Sequence, residues 1–184
     1  MWYSGAKGTM TPNDRWQRTA LPRARDEPVG MARLDVRIES LRPMRVAWVR
    51  AVGTSPELEA WSRLSAWARP AGLLDDALAH PVFGFNNPPA APGVPEYGYE
   101  FWVGVDSETQ PPEGIGLKES EGGLYAVTSC HLGPGMPQSW KSLLRWAHTS
   151  QHAWRRTSHE LERISNPLAP PAETVVDLCL PLEE

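Results

Sequence analysis

The chain has only two cysteines, Cys130 and Cys179, far apart in 184 residues and each inside an apparent strand. Two thiols cannot staple a small secreted scaffold, so buried free thiols in a reducing cytoplasm are expected. No apolar run is long enough to cross a membrane. The N-terminus lacks the apolar stretch of a secretory signal. Excess positive charge is missing too: the net charge is −4 and the pI about 5.8, which leaves no basic footprint for direct nucleic-acid binding. Catalytic signatures are equally scarce. There is no Gly-x-Ser-x-Gly elbow, no dinucleotide glycine pattern and no phosphate loop, since Gly133-Pro-Gly135 carries prolines and no lysine. His148, His152 and His159 have no acidic third ligand arranged with them, so neither a metal nor a cofactor is expected.

What the chain does have is tryptophan, nine residues of it, and a repeat built on it. Trp61-Ser-Arg-Leu64-Ser-Ala-Trp67-Ala68 recurs as Trp140-Lys-Ser-Leu143-Leu-Arg-Trp146-Ala147, an offset of 79 residues. At the same offset Ala47 meets Ala126, His80 meets His159, Asn87 meets Asn166 and Pro88 meets Pro167. The chain therefore reads as one unit built twice, with halves at about 33–106 and 114–184. The seam between such halves is a natural place for a ligand cleft.

Residues 1–30 have no hydrophobic periodicity and read as a disordered tail or a non-native extension; Met31 stands just before the first patterned segment. The domain spans 31–184. Leu34–Leu41 alternates as a half-exposed strand, and Met44–Val52 is a second one. Thr54-Ser-Pro-Glu57 is a helix start with a hydroxyl cap, and Leu58, Trp61, Leu64 and Ala68 form the buried stripe that follows. Strands at Val82–Phe85 and Tyr97–Val105 complete the first half. The second half repeats the order: strands Ile115–Ser120 and Leu124–His131, helix Gln138–Thr149, then strands Glu160–Ile164 and Val175–Leu180, with a short polar helix near Gln151–Arg156. Twice strand-strand-helix-strand-strand predicts an α+β fold. Its antiparallel sheet carries two equivalent helices on one face and a ligand cleft on the other.

Five residues stand out as ligand contacts. At the 79-residue offset Glu162 corresponds to Phe83, so it is expected to face inward, where a carboxylate is costly unless it meets a cation or a proton. It would hold a cationic ligand or act as general acid/base. Along Tyr97–Val105, Tyr97, Tyr99, Phe101, Val103 and Val105 form a face suited to helix packing. Gly98, Glu100, Trp102 and Gly104 form the other, with small residues beside one ring and one charge. That second face suits a flat apolar or cationic ligand. Tyr125 and Trp48 read equally well as cleft wall or as core. Trp61, Trp67, Trp140 and Trp146 read as core.

Arg42-Pro-Met-Arg-Val-Ala, the Trp helix, Phe83-Gly-Phe-Asn-Asn, Tyr97-Gly-Tyr-Glu-Phe-Trp, Gly122-Gly-Leu-Tyr-Ala-Val and the terminal Leu-Pro-Leu182 together resemble the GyrI-like small-molecule-binding family. That family includes the effector-binding domains of some bacterial transcription regulators. The resemblance runs from about Leu34 to Glu183. It implies an acidic residue reaching the central cleft from a second-half strand in a Glu-x-Tyr pattern. Here Glu162 keeps the acid and Ile164 replaces the tyrosine. The resemblance implies a freestanding bacterial, multidrug-type binding protein for small apolar or aromatic, cationic ligands. Two rivals stay open: a hydrolase of strained electrophilic natural products with Glu162 as general acid/base, and a regulator with a protein partner such as DNA gyrase or the transcription machinery. Thirty unpatterned residues cannot hold a helix-turn-helix domain, which counts against an attached DNA reader.

Overall fold

The computed structural model describes residues 34–183, so the expectation of a disordered tail over 1–30 lies outside the described residues. The elements follow in the order β1 (Arg37–Leu41), β2 (Met44–Gly53), α1 (Pro56–Ala68), β3 (Val82–Asn86), β4 (Tyr97–Gly104), β5 (Gly116–Ser120), β6 (Gly123–His131), α2 (Met136–Thr149), β7 (Leu161–Ile164) and β8 (Val175–Pro181). Each half runs strand, strand, helix, strand, strand. Pro56 and Pro137 stand in the first turns of the two helices, where proline loses no hydrogen bond. Ser55 occupies the N-cap of α1, but no side-chain cap bond forms. The helix expected near 151–156 is absent. That segment instead lies along the end of β8, with Trp154 bridging Leu182 and the amide of Arg155 bonding the Pro181 carbonyl at 2.9 Å. Backbone groups paired to a strand in this way cannot close helical turns.

All eight strands join one antiparallel sheet in the order β1-β6-β8-β7-β3-β4-β2-β5. β1 and β2 lie six strands apart in that order, yet only Arg42 and Pro43 connect them. A flat sheet would separate them by about 29 Å at the usual strand spacing, while three residue steps reach at most about 11 Å. The sheet must therefore curl until its ends approach. The second crossing, between β5 and β6, packs on the first: a side chain at Gly122 (φ +71°) would strike the Leu41 carbonyl and the Arg42–Pro43 backbone.

Cross-strand partners share a face, which fixes the layers. Ala47 opposes Val103, Val103 opposes Val82, Val82 opposes Ile164 and Ile164 opposes Val176. Under α1 this face buries Leu64, Ala68, Tyr99 and Phe101. Under α2 it buries Leu143, Ala147, Leu178 and Leu180. Both helices thus cover the same, outer side. The inner side has no helix, yet Phe83, Phe85, Trp102, Tyr125, Val127 and Cys179 are buried there against one another, inside the curl. Among the described residues both cysteines are unpaired, Cys179 buried and Cys130 half-buried.

The 79-residue offset carries the helix stripes, since Leu64 and Leu143 are both fully buried. It fails in β3 and β7. Phe83 faces the inner core, whereas Glu162 pairs with Gly84 and faces outward toward the helices. The expected equivalence of Glu162 with Phe83 is thereby corrected. A slip of one residue moves a side chain to the opposite face of a strand, and the connection from helix to strand differs between the halves.

Candidate functional site

The five candidate residues separate onto the two sides of the sheet. Glu162 is on the helix side. Glu100, Trp102, Trp48 and Tyr125 are on the inner side.

On the helix side, Glu162 lies between Tyr99 of β4 and Trp140 of α2. The Tyr99 hydroxyl, reaching across from β4, donates to its Oε2 at 2.5 Å. The Trp140 indole, from the first turns of α2, donates to its Oε1 at 3.2 Å. Gly84 makes this geometry available. It lies beside Glu162 in the pairing of β3 with β7, and a Cβ there would sit 2.5 Å from the Tyr99 oxygen and 2.9 Å from the Phe101 ring. Phe101 in turn packs on Trp61 of α1 with ring centroids 5.2 Å apart. Aromatic side chains from both halves therefore border the one carboxylate.

Burial raises the Glu162 carboxyl above its ordinary value. The hydrogen bonds from Tyr99 and Trp140 pull it back without cancelling that effect, and the nearby carboxylates Glu57 and Glu160 push it further up. Tyr99 is raised well above 10, by burial first and then by Glu162, so it remains a neutral donor. Among the described residues no ion pair involves Glu162. The loss of the tyrosine expected at position 164 is met from another strand, since Tyr99 supplies a hydroxyl to the same carboxylate. Tyr99 and Trp140 are the partners that sequence reasoning assigned to packing. Their alternation and helical spacing are those of core residues, and only the slip in β7 aims Glu162 at them.

The inner side gathers Glu100, Trp102 and Trp48 as expected, but with an occupant of the chain's own. Lys118 of β5 forms an ion pair with Glu100. Its ammonium lies 4.4 Å from the Trp102 ring centre, 5.2 Å from that of Trp48 and 5.9 Å from that of Phe85. Glu100, only 2% exposed, also accepts from the Trp102 indole at 2.5 Å and from the Asn87 amide at 2.8 Å. Burial would raise this carboxyl, yet Lys118, Trp102 and Asn87 outweigh burial and hold it below its ordinary value. The small residues of this face leave no open floor. A side chain at Gly98 would collide with the Asn87 carbonyl, and one at Gly104 with the Pro81 ring at 2.8 Å. Tyr125 lies in the same core, its hydroxyl pushed up to about 12 by burial and then by Cys179.

Open space on the inner side remains at one end of the curl, a cavity of about 800 Å³ bordered by Leu41, Met44, Phe83 and Arg163. Part of its charge is paired: Asp177 accepts from Arg163 at 2.6 Å and from Arg37 at 2.8 Å, and Glu39 pairs with both arginines, while Arg42, Arg45, Asp75, Asp76 and Asp106 also border it. On the helix side, by contrast, Glu162 has no counter-charge among the described residues. Among the described residues no group of three acidic, His or Cys side chains could hold a metal, and no helix is long and apolar enough to cross a membrane.

No curated protein sequence matches the chain. Solved structures do match in fold. The C-terminal domain of EcmrR superposes with a TM-score of 0.59 at 11% identity, covering 83% of this chain and 99% of that one. SAV2435 bound to tetraphenylphosphonium gives 0.54 at 11% identity, over 82% and 94%. A hydrolase from Listeria innocua gives 0.56 at 11% identity, over 80% and 91%. The family model that matches the sequence, over residues 34–183, is the GyrI-like small molecule binding domain.

Proposed function

The chain belongs to the GyrI-like small molecule binding family, and from that premise we propose that it binds an apolar, aromatic cation in the groove between α1 and α2. The observation that carries this reading is the state of Glu162. It is a half-buried carboxylate held by two neutral donors, Tyr99 and Trp140, and among the described residues it forms no ion pair. A bound cation would supply the missing charge, and the Trp61 and Trp140 rings would cover its apolar body. A structural neighbour carries tetraphenylphosphonium, a ligand of that chemical class. Glu100, Trp102 and Trp48 are assigned a structural role in this reading, because Lys118 already fills their box.

Titration calorimetry with tetraphenylphosphonium tests the proposal. Glu162→Gln is expected to weaken binding by about 1–3 kcal/mol, the scale of a lost charge-assisted contact, while Glu100→Gln leaves the intrinsic contact with the ligand untouched. Equal affinity of wild type and Glu162→Gln would remove Glu162 from the site. A second reading, hydrolysis of an electrophilic ligand, is favoured by the Glu162 carboxyl held between two donors and raised by burial, a group able to give or take a proton. It predicts product by mass spectrometry, and Glu162→Gln would then cut turnover about 10²–10⁴-fold with binding retained.

A further inference from the structure

Glu162 is not alone among the carboxylates on the helix side of the sheet. Tyr97 and Tyr99 stand two residues apart on the helix-facing side of β4, and each hydroxyl donates to a different carboxylate. Tyr97 bonds Glu57, in the first turn of α1, at 2.6 Å, and Tyr99 bonds Glu162 at 2.5 Å. Glu57 and Glu160 lie close enough to Glu162 to raise its carboxyl, and Glu57 is felt by Tyr99 as well. Among the described residues none of Glu57, Glu160 and Glu162 takes part in an ion pair. The buried carboxylates of the inner side, by contrast, are neutralised: Asp177 with arginines and Glu100 with Lys118. Like charges held together without a counter-ion are costly in a half-buried setting, and a ligand with a second positive charge would relieve more of that cost than a monocation.

We infer that the groove is built for an elongated dication, with one charge on Glu162 and the other on Glu57. The inference rests on the reading of the groove given above and narrows its ligand class. Residues two apart on a strand are about 7 Å apart, and Tyr97 and Tyr99 direct their hydroxyls to different elements. The two positive charges should therefore be separated by roughly 7–12 Å, with a flat apolar bridge lying between Trp61 and Trp140. Glu160, at the exposed mouth beside β7, adds attraction during entry.

The experiment compares benzylpyridinium, with one charge, and p-xylylene bis(pyridinium), with two, by calorimetry on the full chain. Wild type is expected to bind the dication about tenfold more tightly, the equivalent of one added charge-assisted contact. Glu57→Gln should erase that advantage and leave the monocation within about twofold. Tyr97→Phe, which removes the donor that holds the Glu57 carboxylate in place, should diminish the advantage partially and serves if Glu57→Gln unfolds the N-terminus of α1. Glu162→Gln should weaken both probes. Equal affinity of the two probes for wild type, or an advantage that survives Glu57→Gln, overturns the dication assignment while leaving the Glu162 site standing. If Glu162→Gln changes neither probe, or neither probe binds, the groove reading falls and this inference falls with it.

Discussion

Glu100 and Glu162 belong to neighbouring regions of one sheet, and each accepts a hydrogen bond from a tryptophan indole. On the inner side the chain provides a cation as well, so Glu100 is ionised, depressed in pKa and closed off under Lys118. On the helix side the described residues provide only neutral donors, and Glu162 is raised. The residue types are alike: acid, tryptophan, further aromatics. The difference lies in whether the counter-charge is built in. A carboxylate completed by its own chain is part of the core, and one left incomplete is where a ligand adds stabilisation.

The largest expected effect comes from breaking the inner pair. Lys118→Met should destabilise the fold by about 3 kcal/mol, because it strands a buried carboxylate. Urea denaturation would measure this, and Lys118→Met with Glu100→Gln should recover most of the loss. On the helix side the corresponding disturbance is steric. Gly84→Ala puts a methyl group against the buried Tyr99 ring and should cost about 2 kcal/mol. It should also abolish tetraphenylphosphonium binding in calorimetry. Tyr99→Phe removes one donor to a partly buried acid and should cost about 1 kcal/mol, with a smaller loss of affinity than Glu162→Gln.

The smallest effect is the sharpest discriminator, because its sign differs between the two acids. Glu162 is raised in the fold, so its contribution to stability is fully present below the unfolded value near 4.5 and is lost as pH rises through the folded value. Above pH 4.5 the stability of Glu162→Gln should therefore gain on wild type. Glu100 is lowered, so its contribution is present above 4.5 and is lost as pH falls through the folded value. Below pH 4.5 the advantage of wild type over Glu100→Gln should shrink. Denaturation midpoints across pH 3–8 would check both; parallel slopes for the two variants would erase the distinction between the regions.

Much of the fold was legible along the chain. Apolar alternation at Met44–Gly53 and Tyr97–Gly104, and the stripes Leu64/Ala68 and Leu143/Ala147, are local signals of strand and helix, and each sits where its period puts it. Glu162 was legible as the acid of a family pattern. Its partners were not, since Tyr99 is 63 residues away and Trp140 lies on a helix, and no local pattern reports which way a four-residue strand faces. Lys118 escaped notice for a related reason: β5 pairs with β2 across more than 70 residues, and only that register brings its ammonium over Trp102 and Trp48.

By itself the sequence determined the secondary structure, the α+β class and the kinds of residue available for a site, because hydrophobic period, turn chemistry and composition are properties of short stretches of chain. Tertiary structure alone decided the curl of the sheet, the side on which each acid lies and which acid is already neutralised. Those depend on strand register and on contacts between residues distant in the chain. A shift of one residue in β7, invisible to composition or period, is enough to exchange an inner-core position for one that faces the helices.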